Sequence, residues 1–257
     1  MRALIKIGGT LLDNPASRHD IARQIAAVAA SGAAVTVVHG GGKQMTRFLE
    51  DRGIQSTFVR GLRVTTEETI DAVLKVLAGS VNAQLVAAIE AAGAQAVGLT
   101  GIDAGLAHAE QLDAELGFVG RVVSSKPGIL NTLTAAGYVP VVACVAGGDG
   151  GQVYNVNGDS MAVAVASNWG VDRLVFLTDV PGVLDAEKKR IPVLTVADCQ
   201  ALIESGVASG GMQAKLNAAS EAVSGLVKEV QIVKGSEVDI VTRVFAGEQL
   251  GTRVIRA

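Results

Sequence analysis

The chain has 257 residues, of which 49% are hydrophobic but only 3% aromatic and 18% charged, so its apolar mass is Ala, Val, Leu and Ile, suited to helices packed on a sheet. A net charge of −3 and a pI of about 5.7 argue against a broad nucleic-acid-binding face. Two scattered cysteines, Cys144 and Cys199, argue against a disulfide framework or a Cys-type zinc site. No stretch approaches the roughly 18 uninterrupted apolar residues of a membrane helix, and no signal-peptide core precedes Lys6. The expectation is a soluble, cytoplasmic protein without a membrane partner.

In chain order, Ala3 to Ile7 reads as a strand, Arg18 to Ala30 as a helix closed by Gly32, Ala34 to Val38 as a strand, and Gln44 to Asp51 as a helix closed by Gly53. Thr65 with Glu68 has the spacing of a capping box and opens helical material to about Ala92. Ala96 to Leu99 is a strand, residues 106–124 a hairpin-like excursion, Lys126 to Ala136 a helix, and Tyr138 to Val145 a strand. Residues 147–156 read as a hairpin through a Gly-rich turn. Then follow helix Asp159 to Trp169, strand Arg173 to Thr178, helices Val196 to Glu204 and Met212 to Ser224, and strand Val230 to Val233. Strands separated by helices of ten or more residues predict a mainly parallel α/β sheet, divided into two lobes near residue 170.

The 31 glycines are in excess over average usage and follow no G-X-Y period. Gly8-Gly9 follows the first strand and Gly40-Gly41-Gly42 the second. At the carboxyl edge of parallel strands, glycine lets backbone N–H groups approach a ligand, so two such loops predict an anion site; tight strand-to-helix turns would use the same residues. Neither loop is a Walker A or Rossmann fingerprint, because Gly42-Lys43 is followed by Gln44 and the GxGxxG spacing fails.

Charged residues add to this. Lys6 lies in an otherwise apolar strand, either at a solvated edge or facing a phosphate. Arg63 offers a planar fork for a carboxylate, and Lys215, in the first turns of a helix, wants an anion nearby unless it is solvated. Asp159 by default is a helix N-cap, but Asn155 and Asn157 on the same edge favour a polar site. His39 is read as a structural turn residue.

Six strings in order, Lys6-Ile7-Gly8-Gly9, His39-Gly40-Gly41-Gly42, Gly61-Leu62-Arg63-Val64-Thr65, Asn155-Val156-Asn157-Gly158-Asp159, Thr178-Asp179-Val180-Pro181-Gly182-Val183 and Gly210-Gly211-Met212-Gln213-Ala214-Lys215, resemble the amino-acid kinase family across essentially the whole chain. The resemblance implies a three-layer αβα sandwich around a mainly parallel sheet. It implies an N-terminal lobe, 1–170, for an acyl amino acid and dimerisation, and a C-terminal lobe, 171–257, for ATP. It further implies transfer of the ATP γ-phosphoryl to the γ-carboxylate of N-acetyl-L-glutamate, a step of arginine biosynthesis. An aminoadipate-type acceptor and a non-catalytic nucleotide-binding regulator are the alternatives.

By the resemblance, Gly41, Gly42, Arg63 and Asn155 would hold the acceptor, Gly8 and Gly9 the phosphates, and Lys6 and Lys215 the transferring group, with Asp159 orienting both lysines. Asp179, Val180, Pro181, Gly182, Val183 and Leu184, with Val207, Ala208 and Ser209, would line the nucleotide pocket. Mg²⁺ would be held chiefly by ATP phosphates, with no protein metal site. Gly158, where the family more often has Ala, and the altered string Gly101-Ile102-Asp103-Ala104-Gly105 depart from the pattern. A chain that opens directly on its first strand resembles the family's homodimers.

Overall fold

The computed structural model describes residues 1–256. Fourteen strands form in chain order: β1 (Arg2–Ile7), β2 (Ala34–His39), β3 (Phe58–Val59), β4 (Leu62–Arg63), β5 (Ala96–Thr100), β6 (Ala107–Gln111), β7 (Val119–Ser125), β8 (Val139–Ala143), β9 (Val145–Gly147), β10 (Val153–Val156), β11 (Arg173–Thr178), β12 (Val193–Thr195), β13 (Glu229–Lys234) and β14 (Thr252–Ile255). Eight of them make one sheet in the order β12-β14-β13-β11-β1-β2-β8-β5. Every pairing in it is parallel except β13 with β14.

Helices cover both faces of this sheet, as its near-continuous apolar strands require. On one face Leu4, Val38, Val142, Leu174 and Phe176 pack with Trp169 and Leu216. On the other Ile5, Ile7, Val37, Val141 and Val175 pack with Ile21, Ile25, Leu85 and Ile89. The result is the αβα sandwich expected from the sequence. Alternate residues of β1 feed opposite cores, and Lys6, on the Leu4 side, breaks the apolar pattern at the strand's carboxyl end.

Among the described residues the ten α-helices are α1 (Gly9–Asp13), α2 (Pro15–Ala30), α3 (Gly42–Glu50), α4 (Glu67–Val73), α5 (Asn82–Ala91), α6 (Gly128–Ala135), α7 (Gly158–Trp169), α8 (Val196–Glu204), α9 (Gly210–Ser224) and α10 (Ile240–Phe245). Between α4 and α5 the backbone winds as a π segment, Leu74–Val81, so that Glu67–Ala91 is one 25-residue helix. By length and composition it could cross a membrane, but half of its most apolar window is buried inside the protein. The capping box expected at Thr65 does not form. Thr66 is the N-cap, accepting from the Thr69 N–H, whereas Thr65 is buried and donates to the Arg63 carbonyl.

Both predicted hairpins form, β6 with β7 and β9 with β10, and they close a small barrel beside the main sheet. The stretch predicted as one strand over 138–145 is interrupted at Cys144, where β8 leaves the main sheet and β9 enters the barrel.

Candidate active site

β1 sits between β2, its successor in the chain, and β11, which arrives about 170 residues later. Such a reversal of strand order opens a crevice at the carboxyl ends of the strands, where ligands bind in open α/β sheets. A cleft of about 250 Å³ lies there. Its walls include Lys6, Gly9, Gly40, Gly41, Gly42, Arg63, Asn155 and Gly158.

Lys6 lies in a strand paired on both sides, with Val38 and Phe176 as its register partners, and is only 8% exposed, which removes the solvated-edge reading. Its ammonium forms an ion pair with Asp159 Oδ1 at 2.7 Å. Lys215, from the second turn of α9, donates to the other oxygen, Oδ2, at 2.9 Å. One buried carboxylate thus holds two ammonium groups from opposite ends of the chain. Burial alone would push the Asp159 carboxyl up, but Lys6 and Lys215 outweigh it and hold the group below the ordinary carboxylate range. The triad keeps one surplus positive charge at the cleft.

Asp159 is not the cap of α7. Asn157 is, accepting from the backbone N–H groups of Asp159 and Ser160, and this frees the Asp159 carboxylate for the lysines. Gly158 at the first helical position lies against Lys6. A Cβ there would meet Lys6 Cε at 3.2 Å and Cys144 Sγ at 3.4 Å.

The two glycine loops face each other. A Cβ on Gly9 would stand 2.9 Å from the Gly42 backbone nitrogen, and one on Gly41 would stand 2.4 Å from Leu77 Cδ2. Side chains at these positions would fill the crevice or drive the loops apart. Leu77 and Val73, from the π segment and the turn before it, supply an apolar wall.

Arg63 ends β4. It donates to the Gly42 carbonyl at 3.1 Å and to Thr46 Oγ1 at 2.7 Å, bonds Ser56, and stacks on the Phe58 ring at 4.7 Å. Burial pushes its guanidinium down from its ordinary value. Asn155, in the cleft wall, donates to the Oγ1 of the buried Thr65 at 3.1 Å. His39 is fully buried beneath the loop and is not among the cleft-lining residues.

The other expected residues lie elsewhere. Gly8 caps α1 and donates to the Leu177 carbonyl, tying the first glycine loop to β11. Asp179, Val180, Pro181, Gly182, Val183 and Leu184 follow β11, and Val207, Ala208 and Ser209 precede α9; none of the nine lines the cleft. Val183 and Ala208 have buried side chains, Gly182 is packed against Thr252 with φ of 140°, and Val207 and Ser209 are exposed. The hairpin β3–β4, which brings Phe58 and Leu62 to the cleft, is absent from the sequence reading. Gly61, with φ of 77° at its turn beside Arg60, was the available signal.

Among the described residues, no group of three or more His, Cys, Asp or Glu side chains is placed to hold a metal ion. Asp159 is the carboxylate at the lysine pair, and both its oxygens already face ammonium groups. This donor set suits an ion carried by a ligand's phosphates rather than by a protein cage.

A sequence model described as the amino acid kinase family matches residues 1–234. The chain belongs to the amino acid kinase family. Within it, the chain is 60% identical over its full length, and the full length of the relative, to an acetylglutamate kinase of Solibacter usitatus. It is 45% identical over 235 residues, covering 91% of this chain and 90% of the relative, to an acetylglutamate kinase of Acidobacterium capsulatum. Its fold is similar to that of the N-acetylglutamate synthase of Neisseria gonorrhoeae solved with coenzyme A and N-acetyl-glutamate, with a TM-score of 0.88 at 22% identity, covering 100% of this chain and 59% of that one. This amino acid kinase thus shares its fold with a protein named for a different reaction.

Proposed function

We propose that the chain transfers the γ-phosphoryl group of ATP to the γ-carboxylate of N-acetyl-L-glutamate, forming N-acetyl-L-glutamyl 5-phosphate for arginine biosynthesis. The observation that carries this reading is the convergence of Lys6 and Lys215 on Asp159 beside two facing glycine loops. Relatives named acetylglutamate kinase support the choice of acceptor.

The reaction forms one P–O bond to a carboxylate oxygen as the bond from Pγ to the ADP bridging oxygen breaks. A side-chain carboxylate with an ordinary pKa of about 4.3 is already ionised near neutrality, so no general base has to remove a proton. Catalysis is then positioning and stabilisation of the charge on the phosphoryl oxygens. Lys6 and Lys215 would contact those oxygens, and Asp159 sets their positions. The N–H groups of the facing loops supply fixed donors, with Gly8 and Gly9 on the phosphate side. Gly41, Gly42, Arg63 and Asn155 hold the acyl amino acid. Mg²⁺ on the ATP phosphates would neutralise part of their charge. Asp179 to Leu184 and Val207 to Ser209 would take the nucleotide, with Val183 and Ala208, whose side chains are buried, offering only their backbone.

On this reading residues 1–170 hold the acyl amino acid, residues 171–257 the nucleotide, and the protein works in the cytoplasm. The protein would act as a homodimer. The test is incubation with MgATP and each candidate acid, trapping acyl phosphate with hydroxylamine. Hydroxamate from N-acetylglutamate is expected. Product from an aminoadipate-type acid alone would overturn the acceptor, and no product from any acid, with nucleotide still bound, would point to a regulator.

A further inference from the structure

Asn82 opens α5, where the π segment returns to α-helical winding, and it is buried. π segments recur at functional sites. Its side-chain amide nitrogen lies 2.8 Å from the Val141 carbonyl, 3.0 Å from His39 Nε2 and 3.4 Å from the Leu99 carbonyl. A backbone carbonyl can only accept, so the atom facing Val141 is the NH₂ group, which fixes the orientation of the amide. The same NH₂ therefore donates to His39 Nε2, which must be the unprotonated ring nitrogen. The proton sits on Nδ1, which donates to the Gly40 carbonyl at 2.9 Å. Burial supports this neutral ring, pushing the imidazole pKa down to about 4.

The Gly40 carbonyl and the Gly41 N–H are the two ends of one planar trans peptide and point in opposite directions. A carbonyl drawn into the core by His39 turns the Gly41 N–H the other way, toward the cleft that Gly41 lines. Among the described residues that N–H donates to no protein group, whereas the Gly40 N–H is used by the Ile7 carbonyl. We propose that Asn82 is a positioning residue that, through the tautomer of His39, locks the Gly40–Gly41 peptide with the Gly41 N–H presented to an oxyanion of the reacting carboxylate or phosphoryl group.

This deepens the phosphoryl-transfer reading and rests on it. Its test has two parts. In wild-type protein labelled with ¹⁵N-histidine, long-range ¹H–¹⁵N spectra read the tautomer whichever acid is phosphorylated. The Nδ1–H form is expected, and an Nε2–H or doubly protonated His39 near neutrality would overturn the relay. The second part compares turnover of Asn82→Ala, His39→Asn and His39→Leu on whichever acid the wild type phosphorylates. Loss of one oriented oxyanion donor costs about 10²–10³-fold in kcat where complete; Asn82→Ala, which loosens the donor, is expected to lose about 10-fold or more, with KM for ATP within about threefold. His39→Asn keeps a side-chain N–H for Gly40 and is expected to retain several-fold more turnover than His39→Leu. Equal turnover of the two His39 variants, or Asn82→Ala within about threefold of wild type, would overturn the proposal. Failure to phosphorylate N-acetylglutamate with turnover on another acid would instead overturn the acceptor alone.

Discussion

Asp159→Asn isolates the role of the buried counter-charge. The substitution preserves shape and leaves two ammonium groups, 2.7 and 2.9 Å from its oxygens, without a negative partner. Breaking a buried pair costs about 3–5 kcal/mol, because the surviving charge stays desolvated. Lys6 is locked in the central sheet at 10% side-chain exposure, whereas Lys215, at 21%, can swing toward water, which places the expected loss near the lower figure, about 3 kcal/mol. For a chain of this size that is roughly 6–12 °C in Tm.

Activity and nucleotide binding should then separate. The freed lysines still attract phosphate, so nucleotide affinity is maintained or increased while kcat falls by about 10²-fold or more. Saturating nucleotide at about 100 times Kd adds some 2.7 kcal/mol and recovers most of the Tm deficit. The pH sign follows from the depressed Asp159 pKa. The pairing contributes above the ordinary carboxyl value of 3.8 and is lost as pH falls through the depressed native value, so only the wild type has that acid limb. Calorimetric melting with and without MgATP, beside hydroxamate kinetics, checks all of this. A Tm within about 2 °C of wild type in the empty protein, or kcat within threefold, would refute the assignment of Asp159 as counter-charge and organiser.

Lys215→Ala leaves Lys6 paired with Asp159, so Tm should change little while hydroxamate turnover falls by about 10²-fold or more. His39, depressed from 6.5 to about 4, should make the wild type lose about 2 kcal/mol between pH 7 and pH 5, since the unfolded chain takes up a proton that the native state refuses; denaturant titrations against His39→Asn at both pH values read the difference. Gly9→Ala places its methyl against the Gly42 nitrogen, and backbone cannot step aside as a flexible side chain can. A stability loss of about 1–3 kcal/mol is expected by chemical denaturation, with turnover falling alongside.

The parallel αβα plan was legible because apolar runs such as Ala34 to Val38 alternate with helical periods and the glycines sit at strand ends. Lys6 was legible as an anomaly, but its neighbours were not. Only the pairing of β1 with β11 shows that the lysine is central rather than at an edge. Both Thr65 and Thr66 can cap, but tertiary contacts that no local pattern carries hold Thr65 outside the helix: backbone bonds to Leu116 and Phe118, and the Asn155 bond to its hydroxyl. Asn82 gave no signal at all. It lies in a run that reads as ordinary helix, and its function depends on carbonyls from two distant strands. The short elements β3, β4, β12 and β14, two to four residues each, contain too few positions for a period to be recognised.

The register of β1 against β11, from Ala3 with Arg173 to Ile7 with Leu177, also governs how the protein is made. During synthesis the first strand emerges early, yet one of its two edges stays unsatisfied until about 170 more residues have left the ribosome. A nascent chain therefore carries an open parallel edge on the strand that bears Lys6, for many seconds at ordinary elongation rates of about 5–20 residues per second. Contacts of such sequence separation slow folding and expose the intermediate to wrong partners. The proposed division of binding roles near residue 170 does not divide the sheet, which runs from β2 through β1 to β11 without a break. Cutting the gene there should yield two fragments that recover activity only when coexpressed.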